Sequence, residues 1–223
     1  MFLLIKNIPT LSWSSRSPRN LRPSFKTLFL LCFGLALFGL GEGLLIISTI
    51  GASPWNVLHQ GLFFNLGFSI GTWAFLVSLV VLLLWFFLNE KIGIGTILNF
   101  VIIAIMIDLS IYFFKAPELW INQILLGIIS VLMVGLGSGI YLIARLGPGP
   151  RDGLMTGLQK KTGFCHVAQI LILIALIRGA IEVVVVLCGW SLGGTVGLGT
   201  LLYAFGVGPS VALGLNVVKK FSV

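Results

Sequence analysis

The chain has 223 residues, of which 58% are hydrophobic and 9% are charged, whereas about 25% of the residues of an ordinary soluble domain are charged. Its mean hydropathy is +1.13, and a soluble protein of this size could not bury so much apolar surface. These values exclude a soluble enzyme, a disordered chain and, despite a formal net charge of +8, a nucleic-acid binder. The composition is that of a polytopic membrane protein, and the partner that it implies is the lipid bilayer.

Six apolar stretches are each long enough to cross about 30 Å of hydrocarbon as a helix. They cover residues 27–50, 68–88, 92–114, 121–144, 165–189 and 194–217. Helices are expected because the strands of a membrane barrel alternate polar and apolar residues. Two shorter stretches, 54–66 and 150–161, begin with proline and carry polar side chains. They predict short helices that re-enter the membrane, lie in its interface or cross it. Crossing agrees least with the distribution of Lys and Arg residues.

The basic residues orient these spans. With six spans and a cytoplasmic N-terminus, twelve of the fourteen Lys and Arg residues lie on the cytoplasmic side, as the positive-inside rule requires. Both termini are therefore predicted to be cytoplasmic. Residues 1–26 predict a flexible basic tail on the anionic inner leaflet, and residues 218–223 form a short basic end.

The sequence repeats itself at an offset of 96 residues. Residues 39–68 and 135–164 are identical at twelve of thirty positions without a gap, and after an eight-residue insertion Gly93–Thr96 matches Gly197–Thr200. Each repeat, 27–114 and 121–217, holds three spans and a short helix. Because three crossings is an odd number, the second repeat is predicted to be inverted relative to the first. The fold prediction is an all-α membrane protein of six helices in two inverted repeats.

Small residues and prolines recur at matching places in the two repeats, where they predict close helix packing and helix starts. The structural set is Gly39, Gly43, Gly51, Pro54, Gly135, Gly139, Gly147 and Pro150.

Charged residues inside the predicted spans are the first candidates for function, since a charge at membrane depth is costly. They are Glu42, Asp108, Arg178 and Glu182. Arg178 and Glu182 are four residues apart and can meet on one helix face. They form either an internal ion pair or part of a site in which Arg178 holds an anionic group.

The starts of the two short helices add further candidates. Ser53 can cap the first helix, and Asn56 and Asp152 are repeat counterparts in the first turns. Arg151, beside Asp152, either lines a site or fixes the turn as a local pair. We therefore predict Asn56, Arg151 and Asp152 as substrate-binding residues together with the charged residues of the spans.

The second half of the chain carries a resemblance. Residues 146–163, LGPGPRDGLMTGLQKKTG, together with 178–182 and 189–200, resemble the YczE/YitT-type family of small bacterial integral membrane proteins, and most closely its YczE-like branch. The resemblance extends over about residues 27–217 and implies a bacterial inner-membrane protein. It implies no assigned biochemical activity.

Inverted repeats are frequent in transporters, which bind solutes between the repeats. The leading hypothesis is a small-molecule or ion permease, as a possible homodimer. The alternative is a non-transporting accessory or scaffold protein that supports another membrane-associated system. No catalytic set, metal site or cofactor motif is visible, so neither an enzyme nor a cofactor is expected.

Overall fold

The computed structural model of this chain describes residues 9–18, 20–88, 92–154 and 167–221, with residues 167–178 and 221 described as backbone alone. Every regular element in these ranges is a helix. The helices are α1 Phe25–Ile47, α2 Pro54–Leu66, α3 Ile70–Leu88, α4 Ile94–Phe113, α5 Trp120–Ala144, α6 Val167–Ser191 and α7 Leu198–Phe221. Residues 150–154 are also helical, and the rest of the predicted short helix 150–161 lies outside the described residues.

Five of these helices, α1, α3, α4, α5 and α7, are long and apolar enough to cross a membrane. Helix α6 has 25 residues, and the part whose side chains are described contains the shorter apolar helix Gly179–Ser191. With 13 residues, α2 is too short to span the hydrocarbon. The chain is an all-helical membrane protein with several apolar helices.

The start of α2 shows why a local cap prediction failed. Pro54 occupies the first helical position, as expected, but Ser53 makes no side-chain capping hydrogen bond. Its hydroxyl instead donates to Glu42 at 2.5 Å. In a cap the serine oxygen would accept from a backbone N–H, whereas here the hydroxyl is oriented by its charge-assisted donation to a buried carboxyl group, so a tertiary contact is made and the predicted local one is not.

Helix α1 packs between α4 and α5, and glycines set both contacts. A Cβ atom on Gly39 would lie 2.7 Å from the Cβ of Met106 in α4. A Cβ atom on Gly43 would lie 2.5 Å from the Cβ of Ser110, one turn further along α4. On the other side, a Cβ on Gly41 would lie 2.8 Å from the backbone oxygen of Ser130 in α5. Only glycine lets α1 approach both neighbours this closely.

Helix α5 packs in the same way between α1 and α7. A Cβ on Gly137 would lie 2.5 Å from the backbone oxygen of Gly34 in α1, and Cβ atoms on Gly135 and Gly139 would collide with the backbone of α7. These three glycines follow their α1 counterparts by 96 residues. Ser130 likewise lies 96 residues after Gly34. The contact of Gly41 with Ser130 is therefore repeated, with the two helices exchanged, in the contact of Gly137 with Gly34.

The loops after α1 and α5 are also equivalent in their contacts. Gly199 donates a backbone hydrogen bond to Ile50 at 2.8 Å, and Gly95 donates one to Leu146 at 2.8 Å. Each loop contains a glycine with positive φ, +125° at Gly51 and +119° at Gly147. These left-handed positions are strained for any side chain, and both loops lie against the first turn of a distant helix.

Of the segment expected to be a flexible tail, residues 1–26, the described residues before α1 include two that are docked on the helix ends. Trp13 is buried, and its carbonyl accepts a hydrogen bond from Thr27 at 2.5 Å. The amide of Ser15 donates to the carbonyl of Ala144 at 3.1 Å, at the end of α5. The basic, Ser- and Pro-rich composition obscured the apolar side chains, Trp13 above all, that dock this segment on the helix ends.

Candidate functional site

Glu42 is the centre of a buried polar cluster between α1, α2 and α7. Its side chain is 1% exposed and accepts hydrogen bonds from Ser53 at 2.5 Å, Asn56 at 2.6 Å and Tyr203 at 2.8 Å. Three donors compensate much of the cost of placing a carboxyl group inside an apolar bundle. Of the residues predicted to bind substrate, Glu42 and Asn56 are thus brought into direct contact.

The cluster continues along α2 to His59. Asn56 donates its amide nitrogen to Glu42, so its amide oxygen accepts from Nδ1 of His59 at 2.8 Å. The proton on Nδ1 leaves Nε2 as a bare acceptor. This atom is buried and has no hydrogen-bond partner among the described residues. Burial first, and the charge of Arg151 second, hold the pKa of His59 well below its ordinary value, which favours the neutral ring.

A small cavity of about 70 Å³ lies beside this cluster. Its lining combines aromatic rings with polar and charged side chains from both halves of the chain. The lining residues are Phe38, Pro54, Trp55, Ala74, Ser78, Asn99, Phe100, Ile103, Ser138, Tyr141, Gly149, Pro150, Arg151, Asp152, Glu182, Tyr203 and Val207. A cavity of mixed polarity inside a helical membrane bundle is a place where a solute can be held away from lipid.

The helical turn 150–154 delivers two charged side chains to this cavity. Asp152 accepts a hydrogen bond from the hydroxyl of Tyr141 at 2.6 Å. The guanidinium carbon of Arg151 lies 5.0 Å from the centre of the Trp55 ring, within the range of a cation–π contact. Arg151 and Asp152 therefore each have a specific partner in another part of the chain.

Asp108 lies apart from this cavity. Its carboxylate accepts hydrogen bonds from the hydroxyl of Ser69 at 2.5 Å and from the backbone amide of Gly71 at 2.7 Å. These donors belong to the start of α3, where a negative charge is favourable. The structure thus gives Asp108 a role in capping α3 and does not include it in the cavity lining.

Two predicted residues remain, Arg178 and Glu182, and only Glu182 has a described side chain. Glu182 lines the cavity from α6. The side chain of Arg178, one turn before it, lies outside the described residues.

Sequence reasoning missed Tyr203, Asn99, Tyr141 and Trp55, which carry no formal charge. One signal was present. The match between Gly93–Thr96 and Gly197–Thr200, continued for three more residues, pairs Asn99 with Tyr203. Polar groups at equivalent places in two spans would have marked both as candidates.

Several apolar helices around the buried carboxylate of Glu42 and a small cavity of mixed polarity define an integral membrane protein of the polytopic helical class. The chain belongs to the family of unknown function DUF6198, which matches residues 25–215.

Its relatives are described only as uncharacterised. A protein of Haemophilus influenzae is 36% identical over 216 residues, which cover 97% of this chain and 94% of the relative. The uncharacterised membrane protein YczE of Bacillus subtilis is 32% identical over 181 residues, 81% of this chain and 78% of YczE. YyaS of the same organism is 33% identical over 138 residues, 58% of this chain and 68% of YyaS. No solved structure matches the chain.

Proposed function

We propose that this protein is a permease for a small molecule or ion in the bacterial inner membrane. The observation that carries the proposal is the cavity of about 70 Å³ at the starts of α2 and of the turn 150–154, with Arg151, Asp152 and Glu182 in its lining. Charged side chains are rare inside membrane bundles unless they serve a solute, an ion or a proton. Short helices that begin at an internal cavity are typical of transporters.

We further propose six spans in two inverted repeats, with both termini cytoplasmic. The paired contacts of Gly41 and Gly137 support this arrangement, because exchanged contacts between equivalent positions are what a two-fold axis produces. The two matching hydrogen bonds of Gly95 and Gly199 support it further. The 25-residue helix α6 supplies the sixth span, and the one-sided distribution of Lys and Arg supplies the orientation.

In this arrangement the two halves contribute different chemistry to one cavity. Glu42 and Asn56 belong to the first half, and their counterparts 96 residues later are Ser138 and Asp152. The acid is thus on the long helix in one half and on the short helix in the other. Ser138 and Asp152 line the cavity, whereas Glu42 and Asn56 form the polar cluster beside it. The two halves therefore surround the cavity with different chemistry, as a binding site that favours one orientation of a solute requires.

Transport can be tested by measuring charge displacement. Proteoliposomes adsorbed on a capacitive membrane are exposed to fractions of a bacterial metabolite extract, and at least one fraction is expected to give a transient current absent from empty liposomes. Asn99→Leu places an apolar side chain in the cavity and is expected to abolish the current. Asn216→Leu makes the same change at an exposed position of α7 and is expected to preserve it. A folded wild-type protein that gives no current with any fraction would overturn the permease proposal and favour the accessory role.

The orientation can be tested by cysteine labelling in a background that lacks Cys32, Cys165 and Cys188. A membrane-impermeant maleimide added to intact cells is expected to label a cysteine at Leu66, which is 60% exposed at the end of α2. A cysteine at Arg145, exposed after α5, is expected to react only after the membrane is permeabilised. Labelling of both from outside would contradict the inverted arrangement.

A further inference from the structure

The walls of the cavity indicate the charge of its ligand. Five aromatic side chains line it: Phe38, Trp55, Phe100, Tyr141 and Tyr203. The faces of such rings are negative and attract cations, most strongly when the cation is shielded from water. One ring already holds a cation, since the guanidinium carbon of Arg151 lies 5.0 Å from the centre of Trp55.

The carboxylates favour the same sign of charge. Asp152 and Glu182 line the cavity, and Glu42 lies directly behind the Tyr203 hydroxyl, which donates to it at 2.8 Å. Arg151 is the basic residue in the described lining. Among the side chains that the structure describes here, three acids face one base, and this part of the region carries a net negative formal charge.

The starts of the short helices do not reverse this preference. The positive end of a helix attracts anions, but Glu42 already occupies the start of α2 through Ser53 and Asn56. Asp152 lies in the first turn of the helical residues 150–154. An anionic ligand at either position would meet a carboxylate of the chain itself.

Further along α2, beyond the residues that line the cavity, His59 has one unpaired nitrogen, since its Nδ1 already donates to Asn56. Its Nε2 atom is fully buried, without a hydrogen-bond partner among the described residues. It lies one helical turn beyond Trp55, on the same side of α2. An unpaired buried acceptor is stabilised by a donor such as an ammonium N–H or a water bound to it.

We propose that the cavity binds a small organic cation, an alkylammonium or guanidinium group, on the Trp55 ring where the guanidinium of Arg151 now lies. Asp152 and Glu182 balance its charge. A volume of about 70 Å³ suits a group of this size, because sites for drug-sized ligands measure about 300–1,000 Å³. The inference rests on the proposed permease function, since it names the class of solute.

Arg151 acts in this site as a tethered competitor, which leads to an unusual expectation. Removing a positive side chain normally weakens the binding of anions and strengthens the binding of cations. Arg151→Gln is therefore expected to strengthen cation binding, because the Trp55 face becomes free. Trp55→Leu and Asp152→Asn are expected to weaken it, each by about tenfold, since a shielded cation–π contact and a close charge pair are each of the order of a tenfold change in affinity.

The experiment measures equilibrium binding of radiolabelled tetramethylammonium to the full chain in lipid nanodiscs. Saturable binding is expected, displaced by methylguanidinium and not by sodium or acetate. Two control variants remove an indole ring and a positive charge elsewhere: Trp190→Leu at a ring that is 62% exposed and Lys115→Gln at an exposed turn. Both are expected to bind like the wild type. Gel filtration excludes variants that do not fold, and Asp152→Asn preserves the shape of the site should Trp55→Leu fail this criterion.

The outcomes separate the two proposals. Absence of saturable tetramethylammonium binding would overturn the cation site. Saturable acetate binding that Arg151→Gln abolishes would overturn it as well, and would leave the permease proposal intact with an anionic solute. Tetramethylammonium binding without current in proteoliposomes would establish the cation site and refute transport.

Discussion

Replacing Glu42 by alanine is expected to lower the free energy of unfolding by about 3 kcal/mol or more, since each buried donor left unpaired costs about 1–3 kcal/mol. Three donors lose their acceptor: the hydroxyls of Ser53 and Tyr203 and the amide of Asn56. The hydroxyls can turn toward other acceptors, but the amide of Asn56 is held by its bond to His59. The loss is measured by denaturant unfolding of the purified protein in detergent micelles.

Two matched variants separate the hydrogen bonds from the charge. Glu42→Gln keeps the shape and one acceptor oxygen, and is expected to cost about 1–2 kcal/mol because its amide group faces donors. Glu118→Ala removes a carboxylate from an exposed loop position and is expected to change stability by less than about 0.5 kcal/mol. An alanine variant at position 42 that is as stable as the wild type would show that the cluster does not stabilise the contact between α1 and α2.

Gly41→Ala and Gly137→Ala are each expected to destabilise the protein by about 2–3 kcal/mol, which is the cost of overpacking a tight contact. The new methyl groups would lie 2.8 Å from the backbone oxygen of Ser130 and 2.5 Å from that of Gly34. Backbone oxygens cannot move aside as a flexible side chain does, so α1 and α5 must separate. The same unfolding measurement detects the effect.

The comparison between these two substitutions tests the repeat directly. If the two halves are related by a two-fold axis, Gly41 and Gly137 lie in equivalent contacts, and their costs are expected to agree within about 1 kcal/mol. The control is Gly179→Ala, because a Cβ at that position of α6 meets no described atom within 4 Å. It is expected to be neutral or stabilising by up to about 1 kcal/mol. A tolerated change at one of the two positions, with a severe loss at the other, would contradict equivalence.

The positions of the long helices were predictable because lipid imposes a simple rule on sequence. A stretch of about 20 apolar residues forms a helix in hydrocarbon, where backbone polar groups must bond internally. The predicted span 121–144 agrees with α5, Trp120–Ala144, within one residue. The first span was predicted to reach residue 50, but α1 ends at Ile47, since Thr49 adopts a left-handed conformation that apolar composition does not reveal.

Residues of the site were predictable only where a charged side chain lies inside an apolar span, since such a placement costs free energy. Glu42 was identified because a carboxylate in an apolar stretch is expensive, and the structure surrounds it with donors. Tyrosine is common in membrane helices, so Tyr203 was not identified from the sequence, although it completes the cluster across 161 residues of sequence. Asp108 carried the same cost as Glu42, and only its contact with Gly71 reveals its capping of α3.

By itself, the sequence determined the class of protein, the positions of its long helices and the family to which it belongs. These properties follow from local composition and from the chain's own residue order, so they need no knowledge of which helices touch. The tertiary structure alone decided that Trp13 docks the N-terminal segment, that Ser53 binds Glu42 instead of capping α2, and that Arg151 lies on the ring of Trp55. Hydrogen bonds and ring contacts act over a few ångströms, and which distant residues come within that range depends on how the helices pack.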